Sequence, residues 1–123
     1  VYAQVNDASV FSDKIPLADK MICDVPCSGF GTVRRKPEIR YKELDSIKQL
    51  PAIQSNILSV ASGYLRSGGR LLYSTCTLNK RENDSVADHF MEDHPDFAMV
   101  CKKTIFPGED GGDGFFYCIF ERN

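Results

Sequence analysis

Two short apolar runs, each closed by a cysteine motif, constrain this chain more than any other feature. Lys20-Met21-Ile22-Cys23 leads into Asp24-Val25-Pro26-Cys27-Ser28-Gly29, and Leu71-Leu72-Tyr73 leads into Ser74-Thr75-Cys76-Thr77. A continuous apolar run of this length, stopped by Pro and Gly, suits a parallel strand buried on both faces. Parallel strands need crossover helices, and residues between the two runs recur at helical spacing. The expected class is therefore α/β with a mostly parallel sheet. In such open sheets ligands bind beyond the carboxyl ends of the strands, and both thiols stand at those ends.

The remaining segments fill in this frame. Residues 1–5 are short and β-prone, and Asn6-Asp7 follows as a turn. Asp45 or Ser46 can cap a short helical turn, after which Pro51 fits the first position of a longer helix. Leu50, Ile53, Ile57, Ala61, Tyr64 and Leu65 give that helix an apolar stripe, and Gly68-Gly69 is its expected stop. Asn79 with Glu82 reads as a capping box, opening a helix that turns Val86, Ala87, Phe90 and Met91 inward and ends before Pro95. Phe97–Cys101 and Phe115–Phe120 read as the last two strands. The order β, β, α, β, α, β, β closes on an adjacent pair, which predicts an antiparallel edge strand.

The chain has 123 residues, enough for one modest domain. A formal net charge of -2 excludes a globally basic nucleic-acid binder. It leaves room for a local basic patch, and Arg34, Arg35, Lys36 and Arg40 form one just after the first cysteine motif. Five cysteines, an odd number at irregular spacing, point to reduced thiols and a cytoplasmic location rather than a disulfide framework. Cys23, Cys101 and Cys118 lie inside apolar runs and are expected in the core. Cys23 and Cys27 lack the paired spacing of a four-ligand zinc site, so no metal is expected. His89 and His94 are expected on the surface, and no apolar run is long enough to span a bilayer. The chain opens on Val1 without an initiator Met, and the expectation is a piece of a longer protein.

Methylating a pyrimidine carbon needs the residues that these motifs bring. C5 of cytosine is a weak nucleophile. A thiolate that adds to C6 loads electron density onto C5, which then attacks an electrophilic methyl group. A base removes the C5 proton and the thiol is expelled. The scheme calls for a soft nucleophile, an acid near ring N3 and a second basic group. Cys76, Asp24 and Cys27 could supply them.

Asp24-Val25-Pro26-Cys27-Ser28-Gly29-x-Gly31, with Arg34-Arg35-Lys36-Pro37-Glu38-Ile39-Arg40, resembles motif IV of the Sun-type (Fmu/RsmB) RNA cytosine-5 methyltransferases. Tyr73-Ser74-Thr75-Cys76-Thr77, followed by Glu82-Asn83, resembles their motif VI, and Val5-Asn6-Asp7-Ala8 is similar to their motif III. Gly112-Asp113-Gly114-Phe115-Phe116 resembles their last strand entry. The resemblance covers the whole chain in register. It implies a partial Rossmann-like methyltransferase fold, with residues 1–123 the C-terminal portion of a catalytic domain and the first strands and glycine-rich cofactor loop absent.

The same resemblance implies that Cys76 is the nucleophile, that Cys27 assists product release, and that Asp24 contacts both S-adenosylmethionine and the target base. Asp7 would contact the adenosine side of that cofactor. Arg34, Arg35, Lys36 and Arg40 would contact RNA, with ribosomal RNA the expected substrate. In the family's strand order, 3-2-1-4-5-7-6, residues 1–5 would have no neighbour here. The strand at residues 20–24 would expose an apolar edge open to self-association. The isolated chain is then expected to be inactive and to hold no cofactor. Three alternatives stand beside this reading: a DNA-type enzyme in which Cys27 is the nucleophile, a tRNA cytosine-5 methyltransferase, and a non-catalytic RNA-binding or assembly fragment.

Overall fold

The computed structural model of the chain describes residues 1–30, 44–108 and 112–123. Its elements are β1 (Ala18–Asp24), α1 (Leu44–Ser62), β2 (Leu65–Thr75), α2 (Asp84–Asp93), β3 (Phe97–Ile105) and β4 (Phe115–Arg122). The sheet order is β1-β2-β4-β3. β1 and β2 are parallel, with α1 as the crossover, and β4 runs antiparallel to both β2 and β3. This is the contiguous 4-5-7-6 set expected from the strand order. The closing pair gives the sheet its antiparallel edge, with β3 outermost. Residues 1–5 join no strand, and Val1, Tyr2 and Val5 are fully exposed. β1 pairs with β2 alone among the described strands.

Alternation along the strands sorts the sheet into two unlike faces. Cys23, Leu71, Tyr73, Phe116, Cys118 and Phe120 lie in the core with Leu58 of α1 and Val86, Ala87 and Phe90 of α2. Phe90 is the hinge of this packing, with its ring centroid 4.6 Å from Phe120 and 5.1 Å from Phe97. The opposite face is open. Ile22, which the continuous apolar run predicts to be buried, is 75% exposed, and with Leu72 and Ile119 it lines a shallow groove flanked by Lys20 and Arg70. Among the described residues the helices cover one side of the sheet only.

Several local readings change. α1 is one 19-residue helix that carries Pro51 inside it rather than starting there. Proline in a helix interior forfeits one backbone bond; here the helix is continuous because Ile47 before it and Gln54 and Leu58 after it are buried on one stripe. That stripe excludes Ile53, which is 43% exposed, and places Gln54 inside at 0%. Gly68-Gly69 does not stop α1. The pair lies within β2 at a register shift, where residue 18 faces 65 and residue 20 faces 70. Gly68 has φ of 79°, and a Cβ on Gly69 would stand 2.9 Å from the Asp19 carbonyl oxygen, so neither position admits a side chain easily. Cys101 is exposed because a second shift, between Met99 and Cys101, turns it onto the open face.

α2 begins after Asn83, one turn later than the capping-box reading places it. Asn79 organises a separate turn ahead of the helix, accepting from the Arg81 and Glu82 amides through its side chain and carbonyl respectively. His94, expected on the surface, is half-buried: its ring stacks on Phe90, and its two nitrogens bond to Phe90 O and Ser59 Oγ. No helix among the described residues is long and apolar enough to cross a membrane.

Candidate active site

The parallel ladder carries the two cysteines to one point. Asp24 pairs with Ser74 at the end of the β1–β2 register, and the Val25 amide donates to Ser74 O one step further. The chain then turns away through Pro26 and Gly29, the latter with φ of 74°. This leaves Cys27 Sγ 3.0 Å from Cys76 Sγ, both side chains half-buried. Burial above all, and then the contact with Cys76, pushes the Cys27 thiol up to about 12. Cys27 therefore keeps its proton near neutrality and can donate it to Cys76 Sγ.

Beneath the thiols lies a buried polar floor. Glu82 has no solvent exposure, and its carboxylate accepts from the Ser28 amide at 2.8 Å, Ser28 Oγ at 2.7 Å, Gln54 Nε2 at 3.0 Å and Asn79 Nδ2 at 2.8 Å. A buried charge is costly unless it is bonded in this manner. Gln54 Nε2 also donates to Pro26 O at 2.8 Å, while Gln54 Oε1 has no partner among the described residues. Because Ser28 Oγ donates to Glu82, it accepts from Thr77 Oγ1, 2.7 Å away. Asn83, likewise buried, accepts from Thr75 Oγ1 at 2.6 Å and donates to Thr77 O at 2.9 Å. Tyr73 Oη closes the floor by donating to Glu82 O at 2.6 Å.

Asp24 is exposed at the mouth of the site and accepts from Ser74 Oγ at 3.1 Å. It also borders an open groove of about 350 Å³ whose walls include Asn6, Ala8, Met21, Ile22 and Tyr64. Apolar walls with a carboxylate at the rim suit an adenosine, whose base is apolar on its faces and whose ribose hydroxyls donate to carboxylates. Asp7 neighbours this groove in sequence, but its Oδ1 is held by the Ser9 amide at 2.9 Å and Ser9 Oγ at 2.6 Å. Those bonds lower its pKa from the ordinary value.

The structure thus brings together Cys27, Cys76 and Asp24. Asp7 stands apart in its turn, and Arg34, Arg35, Lys36 and Arg40 lie outside the described residues. Cys23 and Cys118 are core thiols, raised by burial to about 11 and about 12. Among the described residues no group of three or more His, Cys, Asp or Glu side chains is placed to hold a metal ion. The sequence names Ser28, Thr77, Glu82 and Asn83 as motif residues without assigning them a bonding role, reads Glu82 also as a cap, and passes over Gln54. One signal was available for Gln54: it is the polar member of the stripe formed by Ile47, Leu58 and Ala61.

Known proteins resemble this chain in sequence and fold. The profile of the family described as 16S rRNA methyltransferase RsmB/F matches residues 3–121. A probable ribosomal RNA small subunit methyltransferase B from Bacillus subtilis is 39% identical over 122 residues, covering 85% of this chain and 27% of that protein. A protein of similar name from Synechocystis is 40% identical, covering 88% of this chain and 28% of the relative. The chain thus spans about a quarter of the curated relatives it matches. The crystal structure of PH0851 superposes with a TM-score of 0.91 at 31% identity, over 97% of this chain and 30% of that one. NSun6 from Pyrococcus horikoshii, solved with SFG, shares the fold with a TM-score of 0.80 at 24% identity, over 95% of this chain and 33% of that one.

Proposed function

We propose, because this chain belongs to the RsmB/F family of 16S rRNA methyltransferases, that it is the part of an RNA (cytosine-5)-methyltransferase that carries out covalent catalysis on ribosomal RNA. One observation carries the reading: two thiols 3.0 Å apart at the carboxyl ends of adjacent parallel strands, beside an exposed carboxylate. Cys76, as thiolate, adds to C6 of a cytosine swung out of its stack, and the electron pair of the C5–C6 double bond moves to C5. Asp24 shares a proton with ring N3, which lowers the cost of that charge. S-adenosylmethionine, when bound, supplies the electrophilic methyl group. A base then takes the C5 proton, the C5–C6 double bond re-forms, and Cys76 leaves as thiolate, with the Cys27 thiol assisting by donating its S–H to the departing sulfur.

The high proton affinity of Cys27 supports this division of labour over the DNA-type order, in which Cys27 would have to be the thiolate. The groove beside Asp24 fits the adenosyl part of the cofactor, and SFG, an S-adenosylmethionine analogue, accompanies the same fold in NSun6. Arg34, Arg35, Lys36 and Arg40 contact RNA phosphates, which position the substrate without selecting its sequence.

The test is transfer of isotopically labelled methyl from S-adenosylmethionine to 16S rRNA by the full-length protein, with the product nucleoside identified by mass spectrometry. The reading expects 5-methylcytosine. Label on another base or on tRNA alone overturns the substrate, and RNA binding without transfer makes the chain an assembly module. For the 123-residue chain alone, calorimetry should detect no micromolar binding of S-adenosylmethionine. Sedimentation should show association through the free edge of β1; a monomer that binds cofactor would sink both statements.

A further inference from the structure

The chemistry proposed above depends on the distance between two sulfur atoms on separate turns, and each turn is gripped at both flanks of its cysteine. Around Cys27, Gln54 Nε2 holds the carbonyl of residue 26 and Glu82 holds the amide and hydroxyl of residue 28. Around Cys76, the amide of Asn83 holds the hydroxyl of residue 75 and the carbonyl of residue 77. The two grips are adjacent in sequence and are joined across the site by the Ser28–Thr77 hydroxyl contact at 2.7 Å.

We propose that Glu82 and Asn83 are a positioning pair that sets the separation of the two thiols, Glu82 through the Cys27 turn and Asn83 through the Cys76 turn. Neither side chain needs to touch substrate. Glu82 and Asn83 are 0% and 1% exposed, so they act through the residues they hold. The arrangement also explains an expense elsewhere in the core. Gln54 occupies an apolar stripe position and leaves Oε1 unpaired among the described residues, a cost a leucine would avoid, yet its amide donor reaches both Pro26 O and Glu82. A polar cluster that served stability alone would have no need to bracket each cysteine on both sides.

The catalytic consequence rests on the function proposed above, but the geometric claim is separable from it. Phenylarsine oxide condenses with two neighbouring thiols, forming two As–S bonds and releasing one water, and its grip weakens steeply when the sulfurs move apart. In the full-length protein, capture that disappears in Cys27→Ala reports this pair. Glu82→Gln, which keeps the shape but turns one accepting oxygen into an N–H donor and so cannot accept from the Ser28 amide and hydroxyl together, should weaken capture about tenfold or more. It should lower kcat for methyl transfer by about 10²-fold, the cost of a misplacement of about 1 Å, with the KM for RNA nearly unchanged. Thr75→Val, which removes the donor to Asn83, should act the same way, and Thr75→Ser should restore both readouts.

Val86→Ala is the control, since it loosens the buried side of α2 without bonding to either turn. If Glu82→Gln does not fold by circular dichroism, Ser28→Ala tests the same grip through its hydroxyl half and should weaken capture by about threefold, as the amide bond remains. The proposal is overturned if capture and kcat are unchanged in the folded variants, or if Val86→Ala reduces capture as much as they do. Loss of capture in a protein that transfers no methyl even as wild type would uphold the positioning pair and reject the function.

Discussion

In the turn after β2, Thr75 and Asn83 are eight residues apart and bond to each other directly. In the turn after β1, the amide of Ser28 is bonded to a residue 54 positions away, and the carbonyl of Pro26 to one 28 positions away. Both turns deliver a thiol to the same point. The Cys76 turn can be shaped by its own stretch of chain, whereas the Cys27 turn acquires its shape only once β1, α1 and the turn ahead of α2 have met. Closing the longer loops costs more entropy and comes later in assembly. The comparison teaches that the thiol proposed as nucleophile is built on a self-supporting turn and its proposed assistant on a dependent one.

The largest test of that difference lies in the cysteines themselves. In the full-length protein, Cys76→Ala should reduce methyl transfer by about 10⁴-fold or more, and no covalent RNA species should form. Cys27→Ala should instead accumulate a protein–RNA adduct, seen as a shifted band on a denaturing gel. Adduct on Cys76→Ala would reverse the roles of the two turns. Next in size, Phe120→Ala should cost about 3–5 kcal/mol of stability by opening a cavity under Phe90. Thermal melting would show this, while arsenical capture by the folded fraction stays intact; loss of capture would mean that core packing rather than hydrogen bonding spaces the sulfurs.

Smaller effects sharpen the same contrast. Neutralising Arg34, Arg35 and Lys36, in the segment between the Cys27 turn and α1, should weaken RNA binding for all sequences. It should also flatten the salt dependence by somewhat less than one unit of log–log slope per lost phosphate contact. An unchanged slope removes these residues from the interface. The smallest effect is alkaline. Burial raises Cys118 from 9.0 to about 12, so the native state holds that proton more tightly than the unfolded chain does. The resulting stability is complete below pH 9 and is lost as pH climbs towards about 12. Cys118→Ala should lose less stability over that interval in denaturant titrations than the parent, and an identical pH profile would contradict the shift.

Much of this architecture was legible in the residues because a strand with a buried end announces itself. The runs at residues 20–24 and 70–75 were found from their continuous apolar character and their Pro and Gly stops, and the inward residues of α2 from a 3.6-residue period. The motif around each cysteine also placed Asp24 beside the pair. The misreadings have a common cause. Pro51 and Gly68-Gly69 are punctuation by local rule, but burial of Gln54 and Leu58 carried the helix through the first, and a strand bulge absorbed the second. Glu82 looked like a cap because a local partner, Asn79, was three residues away; its other donors come from residues 28 and 54, which no local pattern connects to it. Burial of Ile22 was inferred from an apolar run, and a run does not reveal whether both faces are covered.

The sheet order has a bearing on how such a segment emerges from a ribosome. β3 pairs with β4 and with no other described strand, and β4 sits between β3 and β2. During synthesis β1, α1, β2 and α2 can assemble as each leaves the exit tunnel, but β3 must wait, unpaired, until residues 115–122 have also emerged. The interval is short in sequence, yet throughout it the inner edge of β2 is bare. A translational pause after residue 105 has left the tunnel and before residue 122 has done so would prolong that state, so the protein's yield in cells should be sensitive to slow codons read in that window.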